Sequence, residues 1–169
     1  MNFIRKPSAI LQVAYLLLTF LVFALFSPTG VIASPVETIQ FYFVAVNSGD
    51  YVSAAKLFKY PDYSTDKEYD DDVQLVSADL KDLVADFGTV ELLSQTNAVD
   101  GSYAGFGVSA GTAEHVEKNP PQNVVHLQVQ FSKIGRGYIS FLFNSSGGTD
   151  NLMMVFYSVP EDKVQGKKT

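Results

Sequence analysis

The sequence predicts an α+β fold, in which three N-terminal helices pack in the concave face of a curved, four- to five-stranded antiparallel sheet. Apolar residues recur at helical spacing as far as Phe87, and from Thr89 onward they alternate with other residues as in strands. Asp100-Gly101 is a strong signal for a tight hairpin and predicts antiparallel pairing of the strands on either side. Helices followed by strands, in this order, indicate an α+β fold.

The first 33 residues are predicted to be a signal peptide. Arg5 and Lys6 precede an apolar run at residues 9–26, and Val31-Ile32-Ala33 places small residues at the two positions that a signal peptidase inspects. Cleavage after Ala33 would leave Ser34 at the N-terminus of an exported protein, periplasmic or extracellular. Because the run is close to the roughly 18 apolar residues of a membrane-spanning helix, an uncleaved anchor is the alternative. The expected organisation is residues 1–33 as signal peptide, 34–160 as one domain and 161–169 as a polar tail.

The composition excludes several kinds of partner and chemistry. The chain of 169 residues has a net charge of −6, which becomes more negative when Arg5 and Lys6 are removed with the leader. Nucleic acids and anionic membrane surfaces bind basic faces, so neither is expected as a partner after cleavage. The lack of cysteine excludes disulfides, thiol catalysis and a lipid anchor on cysteine, and two histidines are too few for a histidine-rich metal site. No metal or other cofactor is expected.

Two helices around a Ser-Gly-Asp break form the centre of the predicted fold. Ser34-Pro35-Val36-Glu37 reads as a capping box with proline in the first turn, and Gly49 ends the first helix. Asp50 is a good N-cap for the second helix, which runs to about Phe58. We expect Tyr42 at the edge of the buried face, with its hydroxyl pointing inward. The other predicted inward residues are Val36, Ile39, Phe43 and Val46 on the first helix and Tyr51, Ala54, Ala55 and Phe58 on the second.

An acidic segment, residues 59–72, separates these helices from a third one. It contains five Asp, one Glu and three Tyr, and its charge predicts a solvated loop or edge segment. A calcium loop is the alternative, but the D-x-D-x-D-G pattern with a glutamate at its end is missing. Ser77 is expected to cap the third helix, which ends at Gly88. The predicted apolar stripe of this helix consists of Val76, Leu80, Leu83, Val84 and Phe87.

Five segments with strand-like apolar patterns predict an antiparallel meander. They are residues 89–98, 103–117, 123–133, 138–144 and 151–159. Glycines in the second segment predict a bulge or bend of the sheet, and Gly135-Arg136-Gly137 is expected to turn the chain. His115 is expected in solvent.

The last two predicted strands are apolar on both faces, which is more apolar surface than one layer of helices can cover. Exposed apolar faces of that size mark interfaces, and a second copy of the chain is the economical partner. We therefore expect a homodimer through the sheet face, with His126 at the surface or in this interface. A monomer with partly exposed strands is the alternative.

One stretch of the chain resembles a known superfamily. Tyr42 to Asp50, YFVAVNSGD, followed by Ala54 to Phe58, AAKLF, resembles the nuclear transport factor 2-like superfamily, which includes SnoaL-like polyketide cyclases and ketosteroid isomerase. The predicted order of elements is similar to that superfamily over nearly the whole chain after the leader, and the chain looks like its exported bacterial members. The resemblance implies a cone-shaped α+β fold, also described as cystatin-like. The motif marks this fold rather than a reaction.

The resemblance to ketosteroid isomerase also implies candidate catalytic residues. Tyr42 matches a tyrosine that donates a hydrogen bond to an enolate oxygen, and Asp66 matches the general base in an ungapped alignment. That chemistry needs a carboxylate to move a proton and a donor to stabilise the developing charge. The third partner of the family, a protonated carboxylic acid, would fall near Ile139, which cannot donate a hydrogen bond.

Two functions follow from these observations. The first is an exported, non-catalytic module that binds a small apolar ligand or a protein partner. Its predicted pocket is lined by Tyr42, Val46, Phe58, Leu80, Val84 and Phe131. The second is an isomerase, cyclase or dehydratase that acts on a small carbonyl compound with Tyr42 and Asp66. A carboxylate or histidine beside the Tyr42 hydroxyl would favour the enzyme, and a filled apolar interior would exclude it.

Overall fold

The computed structural model describes residues 34–98, 103–146 and 149–164. The predicted signal peptide, the Asp100-Gly101 hairpin signal and the end of the predicted tail lie outside these ranges. The helices are α1 (Pro35–Ser48), α2 (Tyr51–Ala55), α3 (Asp66–Phe87), α4 (Ala113–Lys118) and α5 (Glu161–Val164). The strands are β1 (Val90–Thr96), β2 (Tyr103–Ser109), β3 (Asn123–Phe131), β4 (Gly135–Ser146) and β5 (Thr149–Pro160). Within the described ranges, no helix combines the length and the apolar composition that crossing a membrane requires.

The five strands form one antiparallel sheet in the order β1-β3-β4-β5-β2. The prediction of an α+β fold with an antiparallel sheet is confirmed, and β3, β4 and β5 are consecutive neighbours as in a meander. The predicted hairpin between the first two strands is wrong, because β1 pairs with β3 and β2 pairs with β5, at opposite edges. Long-range pairing buries Val108 beside Val155, and this burial outweighs the local turn preference of the segment after β1.

Helices and sheet share one hydrophobic core. Burying a large apolar side chain stabilises a fold by about 1.5–3 kcal/mol, and a chain without cysteine depends on such packing. The core includes Ile39, Tyr42 and Val46 of α1, Val73, Val76, Leu80 and Phe87 of α3, and Phe131, Ile139, Phe141, Val155 and Tyr157 of the sheet.

The first helix begins and ends where the sequence predicts. The Glu37 N–H donates to Ser34 Oγ over 3.4 Å, and the Ser34 N–H donates to Glu37 Oε2 over 2.8 Å, which completes the capping box. Gly49 follows the helix with a φ of 81°, a left-handed conformation that glycine adopts without steric cost. Asp50 then caps α2 by accepting a hydrogen bond from the Ser53 N–H over 3.1 Å.

The buried face of α1 is rotated from the predicted one. Val36, predicted to point inward, is 64% exposed, whereas Thr38 is buried. Thr38, Tyr42 and Val46 repeat at intervals of four residues, so they stack on one side of the helix. Tyr42 therefore lies at the centre of the buried face rather than at its edge, and Phe43 is half-buried at the side of the core.

The third helix is longer than predicted. It begins at Asp66 rather than at Ser77, so half of the acidic segment is helical and the prediction of a loop is wrong there. The Glu68 N–H donates to Thr65 Oγ1 over 3.3 Å, and the Thr65 N–H donates to Glu68 Oε2 over 3.1 Å. This second capping box starts the helix, and Val73 extends its apolar stripe toward the N-terminus.

The acidic residues of α3 fit its first turn. Asp66 and Glu68 lie beside the positive end of the helix dipole, which stabilises negative charge. Hydrogen bonds from Ser64 and Thr65 lower the pKa of Glu68, so it stays ionised as a cap. A run of charge that favours a loop by composition is here the N-terminal part of a helix.

The second predicted strand stops early. β2 ends at Ser109, and α4 occupies the segment that the sequence pattern predicts as strand up to Glu117. Gly111 has a φ of 72°, a left-handed conformation that interrupts the strand. The Thr112 hydroxyl then accepts a hydrogen bond from the His115 N–H over 3.3 Å and caps α4. Gly111 and the cap at Thr112 therefore end the strand, although the alternation of side chains continues.

Two glycines that the sequence predicts in a turn before the fourth strand belong to that strand instead. Gly135-Arg136-Gly137 belongs to β4, and the turn consists of residues 132–134. A Cβ at position 137 would lie 2.6 Å from the carbonyl oxygen of Ser158 and 2.7 Å from Cε2 of Phe131. Gly137 therefore allows the Phe131 ring to lie directly against the strand, which a larger residue would prevent.

The Gly137→Ala variant is expected to lower the free energy of unfolding by about 1–3 kcal/mol, because the added methyl group overpacks the contact with Phe131 and Ser158. Gly105→Ala is the matched control, since a Cβ at position 105 meets no heavy atom within 4 Å. Chemical denaturation followed by circular dichroism measures both. Equal stability of the two alanine variants would contradict the packing role of Gly137.

Candidate functional site

Two buried tyrosines meet where α1 packs on the sheet. Tyr42 lies at the centre of the buried face of α1, and Tyr157 lies on the core side of β5. Their hydroxyl oxygens are 2.6 Å apart, and the two residues are 0% and 1% exposed. Since each hydroxyl can donate and accept, one donates a hydrogen bond to the other. The hydroxyl predicted to serve a ligand is thus bonded to a second tyrosine.

Aromatic rings surround this tyrosine pair. The Tyr42 ring packs edge-to-face against Phe141, with centroids 5.1 Å apart, and against Phe58, with centroids 6.5 Å apart. The Tyr157 ring lies 6.1 Å from Phe131 and 6.4 Å from Phe87. Such rings bury much area and exclude water from the two hydroxyls. The pair is therefore a polar contact inside an apolar core.

Burial also fixes the protonation of the pair. It raises the pKa of the Tyr42 phenol well above the ordinary value of 10.0, and the neighbouring Tyr157 raises it further. Burial raises the pKa of Tyr157 as well, against the opposing effect of the hydrogen bond from Tyr42. Both groups are neutral at physiological pH, because a phenolate in this surrounding would lose its hydration without gaining a cation.

Asp66, the predicted general base, lies elsewhere. It is the first residue of α3, it is exposed, and it lines an open surface cleft with residues 61–65 and Tyr69. Within the described residues, no hydrogen bond joins Asp66 to Tyr42. Ile139, the position matched to a third catalytic group, is fully buried in the core. The structure therefore does not assemble the candidate catalytic residues into one site.

The residues predicted to line an apolar pocket are packed in the core. Five of the six are at most 4% exposed: Tyr42, Val46, Phe58, Leu80 and Phe131. Val84 is half-buried against them. Three surface clefts in the described part have volumes of about 290, 440 and 460 Å³, and none of the three is lined by any of these six residues. In this structure the six side chains contribute to packing.

The smallest of the three clefts brings together polar side chains that are far apart in the sequence. We call it the asparagine cleft, and its polar lining consists of Lys59, His115, Asn119, Asn144, Thr149 and Asn151. His115, predicted to lie in solvent, is half-buried, and its Nε2 is buried without a hydrogen-bond partner among the described residues. The lining comes from four separate segments, so no spacing in the sequence indicates it.

Comparisons of the chain with protein-family models, with curated proteins and with solved structures give no match. In the described part of the chain, no group of three or more His, Asp or Glu side chains has the geometry to hold a metal ion. The tyrosine pair in the core and the asparagine cleft at the surface are two polar arrangements in the described part of the chain.

The hydrogen bond between the two tyrosines can be measured by a double-mutant cycle. Tyr42→Phe or Tyr157→Phe alone leaves the other buried hydroxyl without a partner and is expected to cost about 1–3 kcal/mol of unfolding free energy. The double variant is expected to cost less than the sum, because it removes both hydroxyls together. Tyr69→Phe is the control, since Tyr69 is half-buried beside Tyr60 and no hydrogen bond of its hydroxyl occurs among the described residues. Additive losses would contradict the bond.

The stability of the protein is expected to decrease at alkaline pH. Tyrosines of the unfolded chain ionise near pH ~10, whereas burial keeps Tyr42 and Tyr157 protonated to higher pH. Above this pH the unfolded state binds fewer protons than the folded state, so the unfolding free energy falls as pH rises; below it, the full contribution of the pair is present. Urea denaturation at a series of alkaline pH values should show a shallower decrease for the variant with both residues changed to Phe. Identical slopes would contradict this assignment.

Proposed function

We propose that this chain is an exported, non-catalytic accessory domain of the nuclear transport factor 2-like type, which acts through its surface. The observation that carries the proposal is the hydrogen bond between Tyr42 and Tyr157. A catalytic donor must direct its hydroxyl at the site where charge develops on the substrate. Here a second tyrosine occupies that direction, and aromatic rings fill the space around it. The interior therefore serves stability.

Several local features support the proposed type of domain and its export. Three helices precede a five-stranded antiparallel sheet. In the Tyr42–Asp50 motif, Gly49 ends the first helix and Asp50 caps the second, as the sequence predicts. Ser34 directly follows the proposed cleavage site, and its N–H and hydroxyl are the two cap groups that contact Glu37. Cleavage after Ala33 would therefore preserve the start of α1.

The alternative function, an isomerase, cyclase or dehydratase acting on a small carbonyl compound, requires a carboxylate beside Tyr42. Asp66 is exposed at the start of α3, and the Tyr42 hydroxyl is hydrogen-bonded to the Tyr157 hydroxyl. No observation on the described residues favours that chemistry. The accessory role is the better supported of the two.

The partner surface that we propose is the outer face of the sheet, the side of β2 to β5 opposite the core. Strand register places three rows of side chains there: Val124, Leu142 and Met154; His126, Ser140 and Phe156; Gln128, Tyr138 and Ser158. His126 is half-buried in the middle row, with its Nδ1 2.7 Å from Ser140 Oγ. Aromatic rings also lie on this face: Gly107 leaves space for the Phe156 ring, and Tyr138 packs edge-to-face on Tyr103 over 5.1 Å.

The charge distribution favours a second copy of the chain as the partner on this face. The chain carries 18 Asp and Glu residues, yet β2 to β5 contain only Arg136 and Asp150 as charged residues. Two acidic proteins repel each other through acidic surfaces, so a neutral face is where two copies can approach. A homodimer through the outer face is thus the form in which we propose that the domain acts.

The dimer is tested with a charge placed in the outer face. Val124 is 44% exposed there, and Val124→Glu would bring two acids together across a two-fold interface. Sedimentation of the exported protein should give twice the mass of one chain for the wild type and the mass of one chain for this variant. Val44→Glu is the matched control, since Val44 is 67% exposed on the outer side of α1.

Two results would contradict the proposed interface. A monomeric wild-type protein at its highest soluble concentration would exclude the dimer. Dissociation by Val44→Glu rather than by Val124→Glu would place the interface on α1, whose outer side also exposes Val36.

A further inference from the structure

The asparagine cleft has the form of a small binding site. It lies where the segment after α2, the helix α4 and the adjoining ends of β4 and β5 come together, and its volume is about 290 Å³. Ligand sites of proteins begin near ~300 Å³, so the cleft fits a small molecule. Six of its lining residues are polar, and Met153 is its apolar wall.

The charge of the cleft is opposite to that of the protein. The lining contains Lys59 and no Asp or Glu, and among the described residues no carboxylate lies within ion-pair distance of the Lys59 ammonium. The nearest acid along β5, Asp150, accepts a hydrogen bond from the Ser145 hydroxyl. On a chain with a net charge of −6, the cleft is a local site of positive charge, which attracts an anion.

His115 supplies a second donor. Asn119 Nδ2 lies 3.5 Å from His115 Nδ1 and also donates to the His115 carbonyl oxygen over 3.0 Å. Because Nδ1 faces an amide donor, the proton of the neutral ring belongs on Nε2. That Nε2–H is buried without an acceptor among the described residues. A buried donor that lacks an acceptor costs free energy, which an acceptor in the cleft would recover if the His115 ring turned its Nε2–H toward it.

The asparagine side chains are held in place by the backbone. Asn144 Nδ2 donates to the Pro120 carbonyl over 3.0 Å, and Asn151 Nδ2 donates to the Thr149 carbonyl over 3.4 Å. One amide hydrogen of each side chain is used in this way, and a second hydrogen and the amide oxygen remain for a ligand. Amides that are already oriented can bind hydroxyl groups without the entropy cost of being ordered.

We propose that the asparagine cleft binds a small hydroxylated oxyanion, a carboxylate or a phosphate. Lys59 and His115 contact the anionic group, and the asparagine amides contact the hydroxyl groups. This inference rests on the proposed accessory role and gives that role a ligand. It concerns a surface cleft, so its test involves neither the tyrosine pair in the core nor the outer face of the sheet.

The test is a titration of isotope-labelled protein, expressed from the full chain with its leader, followed by nuclear magnetic resonance. The probes are inorganic phosphate, acetate, gluconate and, as a neutral control with the same carbon chain, sorbitol. Gluconate or phosphate should give saturable shifts of signals around His115 and Asn151, and sorbitol should not. Saturation by phosphate and not by gluconate assigns a phosphate, and the reverse assigns a carboxylate.

Variants of the cleft distinguish binding at this site from non-specific attraction of anions to the protein. Lys59→Gln is expected to weaken binding at least about tenfold, as loss of a charge-assisted contact does, while Lys81→Gln removes the same charge from the exposed side of α3 and should have no effect. His115→Gln should weaken binding while the remaining spectrum shows an intact fold.

Three results would overturn the proposal. They are no saturable shift with any anion, equal weakening by Lys59→Gln and Lys81→Gln, and binding of sorbitol as tight as that of gluconate. None of them would change the double-mutant cycle of the tyrosines or the sedimentation of the dimer, so failure of this inference is distinguishable from failure of the proposed function.

Discussion

Tyr42 and Tyr157 join α1 to β5, and the hydrogen bond between their hydroxyls is the constraint on which the rest of the structure depends. The two oxygens can stay 2.6 Å apart only if the buried face of α1 keeps one rotation and one height on the sheet. The rings of Phe58 and Phe141 then pack around this contact. If the helix moved, each buried hydroxyl would lose its partner, which costs free energy. The pair therefore specifies one arrangement of helix and sheet.

The elements that the sequence predicts well are those decided by neighbouring residues. The first helix begins at the Ser34–Glu37 capping box and ends at Gly49, because caps and left-handed glycines act within four residues. The start of α3 could have been found in the same way from Thr65 and Glu68, but the surrounding acids indicate a loop by composition. The sequence signal was present there, and another signal outweighed it.

The features that the sequence does not predict depend on contacts between distant residues. The partner of β2 is β5, some fifty residues later by the register of Val108 with Val155, and no local pattern contains that information. The same is true of the candidate sites. Tyr42 is predicted to point inward. Nothing in the sequence distinguishes its partner Tyr157 from the apolar residues of the same strand. The asparagine cleft takes Lys59 and His115 from separate segments.

The distribution of charge divides the surface into regions with different uses. Acidic side chains cover the solvent side of α3, where they solubilise the chain and support its first turn. The outer face of the sheet is nearly free of charge, and the asparagine cleft has one cation and no acid in its lining. The six side chains predicted to line a pocket are packed in or against the core, and the two neutral or cationic regions lie on and beside the sheet.

The strand order has a consequence for the order in which the sheet can form. β1 and β2 follow each other in the sequence, but they occupy opposite edges, and their partners β3 and β5 come later. β1 has no strand to pair with until β3 is available, and β2 has none until β5 is available. Pairing between distant segments of this kind is slow to form, so we expect both edges of the sheet to form after its centre.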